Sequence, residues 1–239
     1  MRERSWTRRR GAALGALSCL LLAAPGSAQE DRQLDGGTFE HFVGASYAGT
    51  ETFAVRRRGD DVIAVGRITR EGGPGTLQSL EVGFRVDGLG RLVRYELHTR
   101  EGPPLHVVVN RTGSRLRVTT ASPEGERVTE FQAAGSLLVL ETEIAHHYYE
   151  LARLLREAAE PRDLALEALV PSEGRKVPVR VMALSRDTVS VGDAPVASTR
   201  YELRLGDETT YLWIATSNGR ITRVATPDKR WTAVRQAME

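Results

Sequence analysis

Leu80-Glu81-Val82-Gly83-Phe84-Arg85-Val86-Asp87-Gly88-Leu89-Gly90-Arg91-Leu92-Val93-Arg94-Tyr95-Glu96-Leu97 decides the fold class. Apolar Leu80, Val82, Phe84 and Val86 alternate with Glu81, Gly83 and Arg85, the period of a strand with one buried and one wet face. Asp87-Gly88-Leu89-Gly90 is a turn, because glycine accepts the backbone angles that reverse a chain. Alternation then resumes, with Val93, Tyr95 and Leu97 on one face and Arg94, Glu96 and His98 on the other. Two strands joined by so short a turn must be antiparallel.

The same pattern spreads in both directions from this hairpin. It predicts strands near 50–57, 62–70, 76–86, 91–99, 105–110, 115–121, 127–133 and 137–141. After an interruption it predicts others near 163–170, 177–184, 188–191, 196–205, 209–215, 220–226 and 230–235. Turns such as Glu71-Gly72-Gly73-Pro74-Gly75 and Ser122-Pro123-Glu124-Gly125 separate them. Arg56-Arg57-Arg58 followed by Asp60-Asp61 reads as a solvated hairpin end. The interruption is helical: Ile144, Tyr148, Leu151 and Leu155 fall on one stripe, with Arg153, Arg156 and Glu157 outside and Pro161 ending the run. The expectation is an all-β fold with one main helix. An antiparallel, strongly curved sheet or partly open barrel (29–141, then 161–239) holds an amphipathic helix (142–160) against its concave face; a two-sheet sandwich is the alternative.

The first thirty residues address location. Arg2, Arg4, Arg8, Arg9 and Arg10 precede an uncharged run from Gly11 to Pro25, and then Gly26, Ser27 and Ala28. This is the order of a secretory signal peptide, 1–28, and the apolar run is too short to span a bilayer. A single domain, 29–239, would then act in the periplasm or be secreted, with no membrane-spanning segment. Five of the 33 basic residues and one of the 31 acidic residues lie before Gln29, leaving 28 against 30. The chain's apparent basicity belongs to its leader, which argues against a nucleic-acid partner. The one cysteine, Cys19, also lies in the leader, so the domain has no disulfide and no thiolate. Leu17-Ser18-Cys19 only distantly matches a lipidation site, since Ala16 stands where leucine is favoured.

The C-terminal part, Val191-Gly192-Asp193-Ala194-Pro195-Val196, Arg200-Tyr201-Glu202-Leu203, Tyr211-Leu212-Trp213-Ile214 and Arg220-Ile221-Thr222-Arg223-Val224, resembles a family of exported bacterial β-proteins known only as a domain of unknown function. That family is similar in architecture to the curved half-barrels of periplasmic lipoprotein carriers. The resemblance implies a curved sheet with a hydrophobic concave face. It supplies no catalytic residues.

Motifs for chemistry are sparse. Gly44-Ala45-Ser46-Tyr47-Ala48 lacks the second glycine and the βα context of a nucleophile elbow. His146-His147 are adjacent on the helix and point about 100° apart, which is poor for chelating one ion, although Glu143 and Glu150 stand three residues away from each in turn. One imidazole is expected to cap the helix–sheet contact and the other to face water. His41, His98 and His106 read as surface residues. No catalytic residue, metal ligand or cofactor is assigned. Phe84, Tyr95, Tyr148, Tyr211, Trp213 and Trp231 are the candidates to line a hydrophobic pocket. Three readings follow: a non-enzymatic carrier for an apolar or lipid-like ligand, an envelope scaffold for protein–protein contacts through exposed strand edges, or a hydrolase or metal enzyme using the histidine pair. A hollow interior would favour the first and a filled one the second.

Overall fold

A computed structural model describes residues 31–238, apart from 74–75, 134, 136 and 159–163. The signal reading, 1–28, lies outside the described residues. The elements are β1 (Asp31–Val43), β2 (Ser46–Arg58), β3 (Asp61–Gly73), β4 (Thr76–Val86), β5 (Leu92–Glu101), β6 (His106–Thr112), β7 (Arg115–Ser122), β8 (Gly125–Gln132), β9 (Leu138–Val139), α1 (Tyr149–Glu157), β10 (Leu164–Val170), β11 (Arg175–Val191), β12 (Ala194–Leu205), β13 (Glu208–Ala215), β14 (Ile221–Thr226) and β15 (Trp231–Arg235). All fifteen strands form one sheet in the order β8 through β1, then β15 through β9. Every described pairing is antiparallel except β9 with β10. The sheet is open, with β8 and β9 at its ends. The Arg127 guanidinium of β8 donates to the Ser172 carbonyl, in the turn after β10, at 3.2 Å.

The curved, helix-filled architecture is as the sequence pattern predicts, and the boundaries mostly agree. Two elements differ. The stretch 31–43 was not expected to be a strand, yet β1 is central, pairing with β2 on one side and β15 on the other. Gly36 and Gly37 interrupt its alternation, and Gly37 adopts φ 141° beside the Arg235 guanidinium. The expected strands 177–184 and 188–191 are one long strand, β11, bent by a register shift opposite Ala183–Ser185.

One continuous apolar core joins both halves of the sheet. Phe39, Phe53, Val82 and Tyr95 from the first half meet Leu203, Leu212 and Val224 from the second around Tyr148, Leu151 and Leu155. Residues so distant in the strand order share a core only if the sheet wraps round the helix. A second cluster on the opposite face gathers Val189, Val191, Trp213 and Ala225 with Tyr211 and Met238 packed against it. Arg223 lies over the Trp213 ring at 4.8 Å, and Arg200 over Tyr211 at 5.3 Å.

A buried ion pair closes the seam between the chain's ends. Arg235 on β15 donates from Nη2 to Asp35 Oδ2 at 2.8 Å, from Nη1 to the Gly36 carbonyl at 3.0 Å, and from Nε to the Ile221 carbonyl at 2.7 Å. Its guanidinium also lies 5.2 Å from the centres of both the Phe39 and Phe53 rings.

Candidate functional site

The densest buried polar cluster lies where the helix meets the sheet. The four residues before α1, Ala145–Tyr148, form a 3₁₀ turn, so regular α-helix begins later than the apolar stripe suggests. Glu51 on β2 reaches this turn from below and is fully buried. Its Oε2 accepts from the Ala145 backbone N–H at 2.8 Å and from His41 Nε2 at 3.1 Å. Its Oε1 accepts from the His146 backbone N–H at 2.7 Å and from His146 Nδ1 at 2.8 Å. Four donors occupy the carboxylate's four lone-pair sites. Burial alone would raise its pKa, but the bonds from His146 and His41 more than offset this and hold it far below the ordinary 4.5. The carboxylate therefore does for this helix start what a capping side chain does locally, from a position 94 residues away.

The bonds fix the imidazole tautomers. His146 and His41 donate from Nδ1 and Nε2 respectively, leaving His146 Nε2 and His41 Nδ1 as buried atoms without a hydrogen bond. His147 Nδ1 accepts from the Glu141 backbone N–H at 3.1 Å, so its proton is on Nε2. The His147 ring packs edge-on against Phe84 at 5.6 Å and Tyr95 at 5.7 Å. Burial, followed by the proximity of His146, pushes its pKa well below 6.5. Gly66 on β3 makes room for this arrangement, since a Cβ there would stand 2.5 Å from His146 Cε1.

Glu141 is the second buried carboxyl. Burial pushes its pKa up to about 7, against the lowering effect of Ser172, whose N–H and Oγ each donate to it at 2.6 Å. Tyr95 faces Glu141 without a close hydrogen bond, and burial and that charge push its hydroxyl well above 10.

Several expectations need correction here. His41 is not at the surface: it is 1% exposed, because inward alternation on the unexpected strand β1 carries it into the core. Neither His146 nor His147 faces water. Glu143 and Glu150 do not turn to the histidines; they bind Arg70 and Arg153. Ser46 lies exposed at the start of β2, away from the cluster. Among the described residues no group of three or more His, Cys, Asp or Glu side chains is placed to hold a metal ion.

The six aromatic candidates do not converge on one cavity. Phe84 and Tyr95 pack on the histidine pair, Trp231 meets His41 edge-on at 5.3 Å, and Tyr148 fills the core below the helix. Tyr211 belongs with Trp213 to the cluster on the opposite face. A half-open recess of about 540 Å³ lies between Arg156 of α1, Tyr201 and Ile214. Two narrower spaces beside the helix are about 30 Å³, between Phe84, His147 and Leu166, and about 20 Å³, beside Tyr148 and Leu205, each with room for about one water molecule.

A wide concavity lies on the outside. A trough of about 830 Å³ crosses β2–β6, with Ala54, Val65 and Gly83 among its lining and Glu81, His98 and His106 along one side. Glu81 bridges Arg67 at 2.7 Å and Arg100 at 2.6 Å. No helix among the described residues is long and apolar enough to cross a membrane. No protein-family model and no curated protein matches this chain.

Proposed function

We propose that this protein is a non-enzymatic interaction scaffold of the cell envelope that docks another envelope component on the outer face of its sheet. The observation that carries this reading is the packing beneath the helix: α1 and its turn cover the concave face with buried side chains and leave water-sized gaps beside Phe84 and Tyr148, and the larger recess at Arg156, Tyr201 and Ile214 is half open to solvent. The export-type leader supports an envelope location. The saturated Glu51 carboxylate supports a structural role for the buried cluster, since it has no free lone pair with which to take a proton or hold a metal.

A carrier for an apolar or lipid-like ligand is the second reading. Favouring it, the helix is held by a buried ionic cluster where plain packing would give similar stability, an arrangement suited to an element with two positions. One experiment separates the two. A photoreactive residue replaces Val65, and in parallel Leu151, in the full-length chain expressed in cells. The scaffold reading expects a discrete adduct from position 65 and none from position 151. Stoichiometric lipid extracted from the purified protein, with lipid adducts at position 151, would overturn it in favour of the carrier.

A further inference from the structure

Beyond the trough's shape, the outer face carries a pattern of charge that only register reveals. Cross-strand partners place Arg56 opposite Ile63, Ile63 opposite Arg85, Arg85 opposite Arg94, Arg94 opposite Asn110, and Asn110 opposite Arg117. Four arginines from four strands thus stand in one row across the sheet, about 24 Å from end to end at roughly 4.8 Å per strand. Arg85 and Arg94 are immediate neighbours, a like-charge pairing that costs stability. Arg56, Arg85 and Arg94 are each about half exposed. Their carboxylate neighbours Asp31, Asp61 and Glu96 stand 3.7, 3.6 and 2.8 Å away. Such exposed, solvent-screened pairs contribute little and exchange readily for another anion. Arg117 is exposed and has no ion pair among the described residues.

The next row along the same strands is Ala54, Val65, Gly83, Glu96 and Val108, which contributes the small residues of the trough. A concave channel bordered along one side by arginines one or two strands apart suits a linear anionic chain laid across the strands. We propose that this face binds an acidic polysaccharide, with carboxylates on successive or alternate sugars paired to Arg56, Arg85, Arg94 and Arg117. A pyranose advances a glycan chain by about the spacing of neighbouring strands, so acid groups and guanidinium groups fall in step. Guanidinium suits this task because its planar fork takes a carboxylate through two parallel bonds.

Other polyanions fit less well. Strands β2–β7 are paired on both sides, so a peptide laid on this face finds no free ladder to extend. Neither row holds an aromatic residue on which a nucleobase could stack. A flat bilayer surface does not enter a trough.

This inference rests on the scaffold reading and names the partner's chemistry. The probe is hexagalacturonate, six sugars with one carboxylate each, titrated by calorimetry at low salt into the domain after its leader. Maltohexaose, poly-glutamate and phosphatidylglycerol vesicles are the comparison arms. Saturable binding of hexagalacturonate alone is expected, weakening about tenfold or more in the Arg85→Gln/Arg94→Gln variant, a loss of about 1.4 kcal/mol or more. That variant removes a repulsive pair, so its unfolding midpoint should be unchanged or higher. An Arg175→Gln/Arg204→Gln control, outside this face, should bind like wild type. No binding, equal binding by the row variant, or stronger binding of poly-glutamate or vesicles would overturn the inference. A position-65 adduct with another component in cells would still leave the scaffold reading standing; loss of that adduct would remove both.

Discussion

Two buried carboxylates, Glu51 and Asp35, sit close together in sequence on adjacent strands and do different work. Asp35 takes the Arg235 guanidinium, with Arg220 at 3.4 Å, and ties β1 to the C-terminal strand, so it braces a junction within the open sheet. Glu51 takes two imidazoles and two backbone amides and ties the sheet to its helix. The first joins elements already sharing a ladder. The second fastens a separable element whose other attachment is apolar packing. Removing the arginine at the seam should therefore loosen the whole fold, whereas removing the carboxylate at the latch should loosen the helix first.

The largest effect is expected for Arg235→Met, which leaves Asp35 to the Arg220 guanidinium at 3.4 Å and frees two backbone carbonyls. A loss of about 3–5 kcal/mol in urea unfolding is expected, with exchange protection falling across all strands. Glu51→Gln should cost roughly 2–4 kcal/mol, because its amide sets a donor against a donor at the turn. Here hydrogen exchange in 145–157 should rise before that of β1–β5. If the two variants lose protection in the same global pattern, the contrast between seam and latch is wrong. Gly66→Ala should cost about 1–3 kcal/mol by forcing a methyl against the His146 ring. A double variant with Glu51→Gln should be less than additive, since the two act on one contact.

The smallest effect concerns pH. Glu51 has a depressed pKa, so its stabilisation is complete above the ordinary 4.5 and fades only as pH falls below that value. His147 has a depressed pKa, so its contribution is present above 6.5 and is lost as the unfolded chain takes up a proton at lower pH. Glu141 has a raised pKa, so the cost of burying its charge grows as pH rises from 4.5 through about 7. The last two slopes oppose between pH 4.5 and 7, and the wild-type stability should be nearly flat there. Glu141→Gln should uncover a decline on acidification, and His147→Gln a gain. Chemical denaturation at several pH values checks both; parallel wild-type and Glu141→Gln curves would refute the opposition.

The strand–turn–strand pattern from Thr50 onward was legible because period-two alternation and glycine turns are local signals. β1 was not, because its two glycines and the bulge at Gln33–Asp35 break the alternation. Missing β1 hid two buried polar residues on that strand, Asp35 and His41. It also made His41 look exposed. The histidine pair stood out in sequence, but its partner Glu51 gave no local sign, being an alternate residue on an ordinary-looking strand. Gly66, a glycine inside a strand, is the faint local sign that something large approaches there.

Sequence by itself determined the strands, the hairpin order and the single amphipathic helix, because each follows from periodicities of two and 3.6 residues and from turn chemistry within a few positions. Tertiary structure alone decided which carboxylates are saturated, whether the interior is hollow, and which arginines share a row. Those depend on strand register and on contacts between residues up to 200 positions apart, where no local preference reaches.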